Sequence, residues 1–115
     1  MPEQSPVSPM QILQAVSPEG ARIYMDIRNA TMDNQTLQAI PLKYKLLIGI
    51  GAASVLQSET CTLMWVKQAR QAGVSDEEIV EVILVARLMK MATVTDTVAE
   101  ALAWIKANPA TPSKP

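Results

Sequence analysis

Apolar residues recur along this chain at three- and four-residue spacing, in blocks interrupted by short polar or proline-containing breaks. No stretch sustains apolar/polar alternation, and no Asn-Gly or Asp-Gly pair marks a tight hairpin. The pattern therefore predicts an all-α fold with about five main helices. The first starts at Ser17-Pro18-Glu19 and runs to about residue 30. A capping serine, a proline at the first helical position and an acid near the positive dipole end coincide there. The polar stretch 31–35 breaks the pattern, and Pro41 opens a second helix reaching about residue 56. A third begins near Ser58 and stops before Gly73, a residue type suited to the left-handed position after a helix end. Ser75 and Glu78 form a capping box for a fourth, which extends to about residue 91. Thr93-Val94-Thr95-Asp96 gives a weaker start to a fifth, ended by Asn108-Pro109.

Two of these helices lack a clean polar face. The second carries Lys43 and Lys45 at its start and then only apolar or small residues, among them Gly49, Gly51, Ala52 and Ala53, which allow another backbone to come close. On the fourth, Glu77, Glu78, Glu81, Arg87 and Lys90 do not gather on one side at 3.6 residues per turn. A helix apolar nearly all round is buried on more than one side. In so small a domain the second burying surface is expected from another subunit.

With 115 residues the chain makes one domain, placed at residues 11–107, with Pro- and Ser-rich tails at 1–10 and 108–115 expected to be flexible. The composition is 49% hydrophobic but 3% aromatic, so the core is built from aliphatic side chains and Met. A net charge of −1 without a basic cluster argues against nucleic acid or an anionic membrane as partner. The longest charge-free apolar run, residues 46–58, is too short to span a bilayer. MPEQSPVSPM has an acid and three prolines where a signal peptide has basic and then apolar residues. One cysteine cannot form an internal disulfide. A cytoplasmic location without cofactor or metal is the expectation: the chain has no histidine for a metal site, and its seven Met read as flexible core filling.

The chemistry-bearing stretch is SETCTLMWVKQARQAG, at residues 58–73. Helical spacing puts Ser58, Cys61, Met64, Trp65, Gln68 and Ala72 on one face. Cys61, the candidate nucleophile, lies in the first turn, where unpaired backbone N–H groups favour negative charge. Glu59 opposes this, no Lys, Arg or His stands one turn away on that face, and Trp65 is placed to cover the sulfur. A lone cysteine on an apolar helix face is more often a small core residue.

Two passages carry a family resemblance: PLKYKLLIGIGAASVL at residues 41–56 and ARQAGVSDEEIVEVIL at 69–84. With the Cys61 segment between them, the chain resembles the carboxymuconolactone decarboxylase/AhpD-like family over about residues 17–102. The resemblance implies an all-α fold assembled as a homotrimer or homohexamer. In the peroxidase branch it implies antioxidant, peroxiredoxin-type oxidoreductase activity from Cys-x-x-Cys, a His four residues beyond and a Glu twelve before. Of those positions only Cys61 matches; Ser58 stands for the first Cys, Trp65 for the His and Leu46 for the Glu. The decarboxylase branch is expected to use histidine, which is absent. The leading expectation is a degenerate redox site, with a pocket beside Cys61 and Trp65 that takes a small apolar ligand or stands vestigial. The alternative is a one-Cys peroxidase in which Cys61 attacks a hydroperoxide and an external thiol restores it.

Overall fold

The computed structural model describes residues 8–111, and within them six helices and no strand occur. They are α1 (Pro9–Val16), α2 (Pro18–Met32), α3 (Leu42–Val55), α4 (Glu59–Gln71), α5 (Asp76–Thr97) and α6 (Ala99–Ala107). The expected local signals operate. Ser17 caps α2 by accepting from the Gly20 N–H. Ser75 and Glu78 close a reciprocal capping box on α5. Gly73 takes a φ of +86° after α4, and the Val74 N–H folds back to the Ala69 carbonyl.

Two boundaries differ from the sequence expectation. α1 begins at Pro9, within the stretch expected to be a tail, because Ser8 and Gln11 form a second capping box ahead of a proline at N1. The rest of that stretch, residues 1–7, lies outside the described residues, as do residues 112–115 of the C-terminal tail. Second, the helix at 76 does not end near 91. The Thr93 hydroxyl donates to the Lys90 carbonyl (2.6 Å) and the Thr97 hydroxyl to the Thr93 carbonyl (2.7 Å). Both threonines bond backward into the helix rather than capping a new one, and the break falls at Val98.

The core is one cluster where α3 packs against α4 and α5. Leu46, Leu47 and Ile50 of α3 meet Ala69 of α4, Val74 of the turn and Ile79 of α5, and Ile50 is fully buried. Small residues permit the close approach. A Cβ on Gly51 would lie 3.4 Å from Val82 of α5, and one on Gly49 would lie 3.4 Å from the Trp65 ring. Met32 brings the end of α2 onto this cluster, while the other end of α2 packs on α1 around Ala21. Lys45 secures the intervening loop, donating to the carbonyls of Thr31 and Leu37.

Beyond this cluster the chain is open. Its radius of gyration is 21.3 Å, against roughly 13 Å for a compact chain of this length. Neither α1 nor α6 contains a buried residue. The far half of α5 exposes Val85 (57%), Leu88, Met91 (62%) and Val94, and α6 adds Trp104 (66%) and Ile105. The two sides expected to be buried on α5 thus exist as apolar surface, and this chain covers one of them.

Candidate functional site

The site segment begins at a tight corner. α3 ends at Leu56, Gln57 adopts a left-handed φ of +62°, and the Ser58 N–H returns to the Ala53 carbonyl at 3.0 Å. Ser58 is thereby set as the N-cap of α4. Its Oγ accepts from the Cys61 N–H at 3.4 Å, and its carbonyl accepts from the Thr62 hydroxyl at 2.7 Å. The hydroxyl at the first Cys position therefore has a structural task.

Cys61 is a free thiol, half-buried, two residues into α4, and no hydrogen bond reaches its sulfur among the described residues. Met64 is half-buried on the next turn. Trp65 packs against the core cluster, its ring under Gly49 of α3. Its partner from α2 is a residue that sequence reasoning missed. The Arg28 guanidinium carbon stands 5.4 Å from the ring centroid, within cation–π range. Arg28 Nη2 also donates to Gln68 Oε1 (2.5 Å) and Nη1 to Asn29 Oδ1 (3.2 Å). Leu46 is 3% exposed and belongs to the core.

Two separate depressions lie nearby rather than one pocket, and of the expected site residues Leu46 borders one and Ser58 the other. A cleft of about 470 Å³ lies between α2, α3 and α4, with Leu46, Leu42 and Met32 on its apolar side and Arg28, Asp33 and Gln68 on its polar side. A shallower depression of about 380 Å³ lies at the α3–α4 corner, lined by Ser58, Gln57, Glu59 and Thr62. Cys61, Met64 and Trp65 line neither. Leu46 and Trp65 are brought together through the core, whereas Ser58 and Cys61 sit at the start of α4, away from the larger cleft.

The charges nearby are mostly structural. Lys43 Nζ lies 2.6 Å from Glu78 Oε2, joining the start of α3 to the start of α5. This hydrogen bond holds the Glu78 carboxyl below its ordinary value and Lys43 above its own, and the Ser75 backbone N–H lowers Glu78 further. Among the described residues no cluster of three or more His, Cys, Asp or Glu side chains could hold a metal ion, and no helix is long and apolar enough to cross a membrane.

Comparison with known proteins bears on the family and the fold. Residues 18–113 match the model of the carboxymuconolactone decarboxylase family. A crystal structure of a protein from Methanobacterium thermoautotrophicum, a structural-genomics target, superposes with a TM-score of 0.70 at 22% identity, over 79% of this chain and 96% of that one. At that identity the likeness bears on fold. No curated protein matches the chain.

Proposed function

The chain belongs to the carboxymuconolactone decarboxylase family, and we propose that it is a binding member whose redox site no longer catalyses. The observation that carries this is the use made of three positions. Where the peroxidase frame has Glu, Cys and His, Leu46 fills the core, Ser58 caps α4, and Trp65 packs beneath Gly49 and Arg28. Leu46 and Trp65 cannot shuttle a proton to or from a peroxide at Cys61, and Ser58 cannot close a disulfide with it. What the scaffold offers instead is a cleft within the size range of small-molecule sites. The working form is a closed homo-oligomer in which neighbouring subunits cover the far half of α5 together with α6.

The test is the reactivity of Cys61. Treated with hydrogen peroxide or a bulky organic hydroperoxide, the protein should form sulfenic acid no faster than an ordinary exposed cysteine, with Cys61→Ser as the blank. Added thiol should support no turnover.

A second reading keeps Cys61 as the nucleophile of a one-Cys peroxidase. Its support is the position of the sulfur at a capped helix start with partial exposure. There the sulfur would take the terminal peroxide oxygen, release the alcohol and be restored by external thiol. Rapid trapping with thiol-dependent consumption of peroxide would replace the first reading by this one.

A further inference from the structure

The cleft between α2, α3 and α4 has a polar wall, and the cation on that wall, opposite the apolar side, is Arg28. Its side chain is 21% exposed, so the guanidinium is partly withdrawn from water. Its neutralisation is incomplete. The nearest carboxylate, Asp33, stands 3.7 Å from Nη1 with its own side chain 55% exposed. The two hydrogen bonds Arg28 makes to Gln68 and Asn29 go to neutral amide oxygens and leave three of five N–H donors free. The guanidinium carbon lies over the Trp65 ring, 5.4 Å from its centroid. A planar fork beside a ring, with donors free and its one paired carboxylate loosely placed and exposed, is suited to meet a planar anion. The opposite wall offers Leu42, Leu46 and Met32.

We propose that this cleft binds an amphipathic aliphatic carboxylate, with its head group on Arg28 and its chain along Leu42 and Leu46. A monoanion fits better than a phosphate dianion, because only one cation lines the cleft and Asp33 stands beside it. The inference rests on the binding function proposed above and specifies its ligand. Asp33 is the internal competitor for the same fork.

Octanoate and octanol, which share a chain and differ in charge, make the probe pair. In full-length protein carrying Trp104→Phe, Trp65 is the sole tryptophan and its fluorescence reports on the Arg28 face. Octanoate should bind saturably and octanol at least tenfold more weakly. Arg28→Gln should weaken octanoate at least tenfold and leave octanol unchanged. Asp33→Asn, which removes the competitor, should tighten octanoate severalfold, a gain that damage to the fold would not produce. If Arg28→Gln does not fold, Asp33→Asn alone decides the matter, and unchanged or weaker octanoate binding overturns the proposal. Equal binding of both probes, indifferent to Arg28, would overturn the carboxylate assignment while leaving a binding function standing. Absence of binding by either, in fluorescence and in calorimetry, would remove both.

Discussion

Single residues decide the corner where the site begins. Gln57 is the one non-glycine residue with positive φ among those described, and it sits between the last turn of α3 and the cap of α4. A side chain in that conformation costs about 1–2 kcal/mol, offset in part by the greater chain entropy that glycine loses on folding, about 0.5–1 kcal/mol. Gln57→Gly should therefore stabilise the protein by up to about 1 kcal/mol, read as a higher urea midpoint at unchanged slope. A lower midpoint would mean that the Gln57 side chain has a task of its own. The same scale explains what the sequence could disclose about the site. Ser58, Cys61 and Trp65 are three or four residues apart on one helix, so their shared face was legible from spacing alone. Arg28 reaches Gln68 across 40 residues of chain, and no local pattern carries that contact. The neighbours of the Trp65 ring on α2 and α3, Arg28 and Gly49, are likewise beyond what the α4 pattern discloses.

At the scale of elements, helix starts were the most legible feature because caps are local chemistry. The helix at Ser8 escaped notice even so, since its capping box carries Gln in place of Glu and lies among prolines. The joint near residue 93 was misread because a threonine hydroxyl can serve the turn behind it as well as the turn ahead. Packing between elements was not legible, and the Lys43–Glu78 pair that ties α3 to α5 is an example. Its pH dependence has a definite sign. Glu78 titrates below its ordinary value, so its contribution is present above the ordinary carboxylate range and is lost as pH falls through the depressed value. Lys43 titrates above its ordinary value, so its contribution holds until pH rises through that raised value. Glu78→Gln keeps a side chain able to complete the capping box while removing the charge. The variant should be less stable than the parent at pH 7, and the difference should shrink below about pH 4. Denaturant melts at the two pH values, repeated in high salt, provide the check; a gap independent of both pH and salt would assign the loss to the cap instead.

At the scale of the molecule, the all-helical class was legible, and so was a long helix with apolar residues on more than one side, several of which are exposed. What covers them, in the assembly proposed above another copy, depends on surfaces far apart in sequence. Static light scattering behind size exclusion should give a small multiple of the chain mass at micromolar concentration. Leu84→Glu or Leu88→Glu, on the exposed side of α5, should shift the population toward single chains, whereas a parent that elutes as a single chain would end the assembly proposal. The extended shape then bears on abundance. On the assembly proposal, a subunit that keeps so much apolar surface outside itself would gain much of its stability by mass action, and its melting temperature should rise with protein concentration. A lone subunit, newly made or left over, offers its uncovered helices to proteases until it meets others. The cell would then hold this protein either as complete assemblies or hardly at all, with little in between.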